Sequence, residues 1–213
     1  MPVRKKHLKL NSKSTPSLKK NRFSWLVAGG VVLLVVIYLI TTYNGLVKKE
    51  EKVKLQWNEV QNAYQRRMNL IPNLVNVVKG VSDFEQTTLQ KIAEARSKAA
   101  SVTVSAENLT ADAVNKQADA QNELAAATNN LIIRIEKYPS LKGTAAYSGL
   151  QTQLEGTERR IKVARQDFNE AINTYNNTVR GFPTKLVAGM LGFKMKEGFQ
   201  SDAGAEKTVE IKF

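Results

Sequence analysis

An uncharged, apolar run of 25 residues, from Phe23 to Val47, constrains this chain more than any other feature. A helix rises about 1.5 Å per residue, so residues 23–43 span about 30 Å, the thickness of the hydrocarbon layer of a bilayer. Trp25 and Tyr43 lie near its two ends, where aromatic rings favour the headgroup region. A buried core helix is the alternative, but a core helix of this length would normally carry a polar stripe. We predict a single transmembrane helix over residues 23–43.

The positive charge of the chain is concentrated at its N-terminus. Residues 1–22 hold eight Lys and Arg and no acid, whereas the other 24 Lys and Arg face all 19 acids. A basic arm beside an apolar span is typical of the cytoplasmic side, where it also attracts anionic lipids. We therefore place residues 1–22 in the cytoplasm and residues 44–213 outside. A nucleic-acid-binding protein would carry its excess charge on the folded domain, so we expect a lipid bilayer and no nucleic acid as partner. A cleaved signal peptide is disfavoured because its apolar region would be shorter and no Ala-x-Ala site follows.

Beyond the apolar run, hydrophobic residues recur every three or four positions, the spacing of helices packed on partners. The first series reaches Ile71, where Pro72, with Asn69 as the cap of a new helix, predicts a kink or a tight break. The second helix is expected to carry one apolar face over residues 74–95, with Gly80 inside it as a site of close packing or a hinge. Residues 100–110 lose the period and are interpreted as a loop.

The helical period returns at Leu109 and continues to a reversal at residues 138–143. Thr144, or Ser148 with Gln151 as a capping box, begins the last long helix, whose apolar seam is the most regular in the chain and ends with Phe182. Helices of about 30 residues are about 45 Å long and fold back on short connections. We predict an all-α domain over residues 44–183, an elongated antiparallel bundle of three to four long helices.

Residues 184–213 change character. Residues 184–191 have the pattern of a short amphipathic helix, and residues 208–213 alternate strictly between polar and apolar, which is typical of a strand. A helical bundle offers no sheet edge for such a strand. We expect an extended C-terminal tail whose last residue, Phe213, could present its carboxylate to a partner as the strand joins that partner's sheet.

Side chains for catalysis or metal binding are scarce. The only histidine is His7 in the basic arm and cysteine is absent, so no Ser-His-Asp triad, Cys-His pair or Glu-x-x-His metal site can form. Glu155 and Glu158 lie beside the apolar seam, where surface pairing with Arg159 and Lys162 one turn later is the simpler explanation. We expect no enzyme activity, no cofactor, no metal and no small-molecule substrate.

The remaining polar candidates surround the proline. Arg66 and Arg67 either pair with Glu155 or Glu158 across the bundle or face a ligand. The full set of candidate structural or interaction residues is Arg66, Arg67, Asn69, Pro72, Gly80, Glu155, Glu158, Arg159 and Phe213.

Several stretches resemble the LemA family of bacterial membrane proteins, in the expected order over roughly residues 40–200. The most specific words are Ile71-Pro-Asn-Leu-Val75 and Leu154-Glu-Gly-Thr-Glu158. The other matches are Tyr43-Asn-Gly-Leu-Val47, Gln65-Arg-Arg-Met-Asn-Leu70, Ala93-Glu-Ala-Arg96, Tyr138-Pro-Ser-Leu-Lys142, Ala164-Arg165, Tyr175-Asn176 and Phe182-Pro183. The resemblance implies a helical domain anchored in the bacterial cytoplasmic membrane, with no established catalytic activity.

Our leading functional hypothesis is a membrane-anchored scaffold or interaction protein that forms homo-oligomers or binds another envelope protein. One alternative is an adaptor or regulator of an envelope protease that binds through the C-terminal strand. Another is a membrane-remodelling protein that uses the basic arm and the amphipathic segment near Leu186.

Overall fold

The computed structural model describes residues 19–80 and 85–200, with side chains from Phe23 onward. Within these residues it contains six helices and no strand. They are α1 (Lys19–Lys79), α2 (Gln86–Ser101), α3 (Ala111–Ile135), α4 (Pro139–Lys142), α5 (Ala145–Arg180) and α6 (Thr184–Met190). The prediction of an all-α protein with an apolar N-terminal helix is confirmed. The predicted strand over 208–213 and most of the basic arm lie outside the described residues.

The chain divides into two compact units, residues 1–41 and residues 42–213. In the first unit the described part of α1 exposes its apolar side chains, among them Trp25, Leu34 and Ile40. The most apolar window of 18 residues in α1 has a mean hydropathy of 2.6, and none of that window is buried. A core helix of a soluble protein would instead be covered by other parts of the fold. The apolar helix therefore indicates single-pass membrane anchoring.

In the second unit, α1 from residue 42 packs with α2, α3 and α5 as a helical bundle. Cross-helix pairs fix the directions: α1 and α5 are antiparallel, as are α2 and α3. For α1 and α5 the pairs are Lys49 with Thr178 and Arg67 with Glu158; for α2 and α3 they are Lys98 with Glu123 and Glu85 with Arg134. Threonines begin α3 and α5, because Thr110 Oγ1 accepts the Ala113 N–H and Thr144 Oγ1 accepts the Tyr147 N–H, at 3.3 and 3.2 Å.

Buried apolar side chains form two clusters in the bundle. The upper cluster surrounds Trp57 and Phe168, whose ring centroids are 5.0 Å apart, and begins at Leu46. The lower cluster joins the end of α1 to α2, α3 and the beginning of α5, with Leu74 and Ile92 fully buried. The predicted seam of α5 is buried from Tyr147 to Val179 except for Leu150, which is partly buried; Phe182 is 86% exposed because the helix ends at Arg180.

Of the kink or tight break predicted at Pro72, the break is wrong, since α1 continues through the proline to Lys79. Proline lacks the N–H that would bond to the carbonyl four residues earlier, which here belongs to Met68. The Nε–H of Arg96 on α2 donates to that carbonyl oxygen at 3.1 Å. A neighbouring helix thus supplies the missing donor, and Asn69 does not cap a helix; its Oδ1 accepts from Gln65 at 2.9 Å.

Replacing Arg96 with methionine should destabilise the bundle by about 1–2 kcal/mol, because the Met68 carbonyl then lacks a donor. In a Pro72→Ala background the same replacement should cost much less, since the new alanine would bring its own N–H to that carbonyl. Urea unfolding of the four proteins of this double-mutant cycle measures the difference. Equal costs of Arg96→Met in the two backgrounds would show that the two sites are not coupled.

Gly80 also lies differently from its prediction. It follows the last residue of α1 and is exposed, so it is neither inside a helix nor at a close contact. A Cβ at this position would meet only the Val77 carbonyl oxygen, at an ordinary 3.5 Å. The single helix expected over residues 74–95 is instead the end of α1 and the beginning of α2.

Candidate functional site

A layer of polar side chains crosses the bundle between the two apolar clusters, and Arg67 is at its centre. Only 3% of this residue is exposed. Its Nε–H donates to Glu158 Oε1 at 2.7 Å, its Nη2 donates to the other carboxylate oxygen, and its Nη1 donates to the Gln121 carbonyl at 2.9 Å. Bidentate charge-assisted bonds are stronger than neutral ones and fix the orientation of both groups. Arg67 is therefore held on α3 and α5 at once.

Two further pairs complete the polar layer. The side-chain amides of Gln61 and Gln117 exchange two hydrogen bonds, at 2.8 and 2.9 Å. Arg165 donates from Nε to the Tyr64 hydroxyl at 2.9 Å, and burial raises the pKa of that hydroxyl despite the nearby guanidinium. A shift of one helical turn would separate all these partners, so the layer fixes the register of α1, α3 and α5.

The surface ion pairs predicted on α5 do not form. Glu158 turns to Arg67 instead of Lys162, because a carboxylate is attracted more strongly to a cation in the low-dielectric interior than to one in water. Glu155 points outward and accepts a hydrogen bond from Gln151 at 3.2 Å, leaving Arg159 without a carboxylate partner among the described residues.

Arg67 could have been singled out by its position on α1. It lies three residues after Tyr64 and four before Ile71, so it continues the three–four spacing of the buried seam. Gln117 and Gln121 occupy the same kind of position on α3, and both are buried. Polar residues at seam positions were the available sign of a buried layer.

Arg66 and Arg159 meet at a different place, an open groove of about 550 Å³ between α1 and α5. Arg160, Glu59 and Asp167 also line it, and Val163 on its wall is half exposed. No described residue forms an ion pair with any of these five charged side chains. Asn69 lies in the adjoining polar groove, which Arg66 also lines. The groove therefore carries charged side chains of both signs that form no ion pair with a described residue.

Two asparagines on α5 hold the chain that follows α6, and neither was recognised from the sequence. Asn176 accepts the Lys196 N–H and donates to the carbonyl of the same residue, at 2.9 and 2.7 Å. Asn169, two turns earlier, does the same for Phe199 at 2.9 and 3.2 Å. The Phe199 ring then covers Trp57, Phe168 and the Arg165 guanidinium. The seven-residue spacing of the two asparagines on one helix face was the sign that could have paired them.

The held segment also closes over Tyr175. Lys196 pairs with Glu50 at 2.8 Å and lies 5.5 Å from the centre of the Tyr175 ring. Burial, together with the Glu50 carboxylate, raises the pKa of Tyr175 to about 12. This region is therefore a covered part of the core and not an accessible site. Phe213, the last candidate, lies outside the described residues.

Across residues 19–80 and 85–200, no three metal-ligating side chains come together. The arrangement consists of an apolar anchor, a helical bundle with a register-fixing polar layer, and a charged surface groove. These features define a membrane-anchored helical-bundle protein.

The chain belongs to the LemA family, because the LemA family model matches residues 56–213. It is 26% identical over 198 residues to "Magnetosome protein MamQ 2" of Paramagnetospirillum magneticum, covering 84% of this chain and 73% of that protein. It is 23% identical over 148 residues to "Protein LemA" of Metamycoplasma hominis, covering 70% of this chain and 64% of that protein. "Magnetosome protein MamQ" of Magnetospirillum gryphiswaldense is 24% identical over 200 residues, with 84% and 74% covered. None of these names states a catalytic activity.

Proposed function

We propose that this LemA-family protein is a non-catalytic interaction protein of the bacterial cytoplasmic membrane, with residues 1–22 inside and the bundle outside. The bundle binds a second copy of itself through the groove between α1 and α5. The observation that carries this proposal is the set of charges of both signs in that one groove that have no ion-pair partner in the described part of the chain, Arg66, Arg159, Arg160, Glu59 and Asp167.

A self-complementary groove suits a two-fold symmetric dimer. In such a dimer the same patch is used twice, so the arginines of one copy face the carboxylates of the other. Val163 adds an exposed apolar side chain at the same place. A nucleic acid or a single anionic ligand would leave Glu59 and Asp167 facing negative charge, which is unfavourable.

The absence of cysteine makes cross-linking a direct test. We expect full-length protein with Val163→Cys, in native membranes, to give a cross-linked dimer with a short bifunctional thiol reagent. The matched control is Ile133→Cys, a similarly exposed apolar position on α3, which should remain monomeric under the same conditions.

Charge exchange tests the chemistry of the contact. Arg159→Glu alone should lower the yield of the Val163→Cys dimer, and adding Asp167→Arg should restore it, because the exchanged pair is again complementary. If neither substitution changes the yield of dimer, dimerisation through this groove is contradicted. Equal yields from positions 163 and 133 would indicate random collision, and cross-links to a different envelope protein at position 163 would replace the second copy as partner.

A further inference from the structure

Large apolar side chains are exposed around α6. In the described part of residues 42–213, nine large hydrophobic residues are exposed, and five of them fall within residues 182–195. The other four are spread over the bundle. The five are Phe182, Leu186, Met190, Leu191 and Met195. Isolated exposed apolar residues are ordinary, whereas a cluster indicates a contact surface.

The charged side chains in and next to this stretch, over residues 180–196, are all basic. Residues 180–196 contain Arg180, Lys185, Lys194 and Lys196 and no acid. Lys196 is paired with Glu50, but Lys185 and Lys194 are exposed and have no carboxylate partner among the described residues. An apolar face flanked by free lysines is the composition of segments that lie in the interface of an anionic bilayer.

Contacts within the second unit place this stretch beside its first residues. The Phe193 ring packs edge-on against Tyr43, with centroids 5.9 Å apart. Val187 and Ala188 are buried, which fixes α6 against the bundle while its other face stays exposed. Tyr43 is the last residue of the predicted membrane span, a position where aromatic rings favour the headgroup region of a bilayer. The residues around Phe193 therefore lie beside the last residue of the predicted membrane span.

We propose that the exposed face of α6 and its flanks is a second membrane contact, which inserts into the interface of the leaflet that residue 43 reaches. Phe182, Leu186 and Met190 enter the boundary between headgroups and acyl chains, while Lys185 and Lys194 bind anionic lipid phosphates. A second copy of the chain would not suit this surface as well, because two such faces would bring like charges together. This lipid contact requires the membrane anchor but not dimerisation through the α1–α5 groove. The two proposals can therefore be tested separately.

Spin labels on the cysteine-free chain test the insertion. Full-length protein with Met190→Cys is labelled and reconstituted into vesicles of phosphatidylcholine with phosphatidylglycerol, and collision with oxygen and with a water-soluble nickel chelate reports depth. We expect the label at residue 190 to lie about 5–10 Å below the headgroup boundary. Labels at Ile133→Cys and Val32→Cys give the aqueous and the bilayer references. A label at residue 190 as accessible to the nickel chelate as the label at residue 133 overturns the proposal.

Two further arms separate lipid from protein contacts. In vesicles of phosphatidylcholine alone, or with Lys185→Glu and Lys194→Glu together, the label at residue 190 should move towards water. When labelled protein is diluted with unlabelled protein, the depth of the label at residue 190 should not change. The spin–spin broadening of its spectrum should not decrease either. Broadening that disappears on dilution would mean that a second copy covers this face and would refute the lipid contact.

Discussion

Glu158→Ala should destabilise the bundle by about 3 kcal/mol, although Glu158 is the more exposed partner of its ion pair. The Glu158 side chain is 45% exposed, whereas the Arg67 side chain is 4% exposed. Removing the carboxylate leaves a buried guanidinium without an anion. Removing the guanidinium, as in Arg67→Met, leaves a carboxylate that water can reach, so this change should cost only about 1 kcal/mol.

The measurement is urea unfolding of full-length protein in detergent micelles, followed by the fluorescence of Trp57 in a Trp25→Phe background. Glu155→Ala is the matched control, one turn earlier on the same helix and outside the polar layer, and should change the unfolding free energy by less than about 0.5 kcal/mol. The double variant Arg67→Met with Glu158→Leu should recover most of the loss, since no buried charge is left unpaired. A larger loss for Arg67→Met than for Glu158→Ala would contradict this account.

Trp57→Ala should cost about 3–5 kcal/mol, the usual range for removing a large aromatic side chain from a core. Trp57 is fully buried, packs on Phe168 and Phe199, and donates from Nε1 to the Val104 carbonyl at 2.9 Å. Its loss leaves a cavity and also frees the loop between α2 and α3. Unfolding followed by far-UV circular dichroism gives the free energy, and limited proteolysis reports on the loop.

Two comparisons make this result specific. Leu55→Ala, an exposed position on the same helix, should have little effect on stability. Trp57→Phe keeps most of the apolar contact but loses the hydrogen bond to Val104, so the loop should become more sensitive to protease than the overall stability loss explains. A Trp57→Ala protein as stable as Leu55→Ala would show that the upper cluster does not hold the bundle together.

The local sequence predicts a helix well when the residues that determine its buried face and its ends lie within that helix or next to it. The seam and the Thr144 cap of α5 follow from spacing and residue type within that segment. The course of α1 through Pro72 does not, because the donor that satisfies Met68 comes from Arg96, which is distant along the chain. From local sequence a proline predicts a helix break, because the neighbouring helix that supplies the missing donor cannot be identified.

The features missed at the candidate sites have two different causes, one local and one distant along the chain. Arg66 and Arg67 are neighbours of identical type in sequence, and only the helical seam decides which one is buried. The role of Asn169 and Asn176 depends on main-chain atoms of a segment that no periodic pattern marks. Phe182 follows the period of α5, but it is exposed because the helix ends two residues before it, at Arg180.

The segment held by Asn169 and Asn176 has a consequence for biosynthesis. Trp57 and its neighbours are among the earliest residues of the bundle to leave the ribosome, and Phe199, which covers them, is among the last. Trp57 therefore stays uncovered on this side until the segment around Phe199 has left the ribosome. A nascent chain stalled before Phe193 should therefore expose an aromatic surface that chaperones recognise, whereas the finished protein hides it.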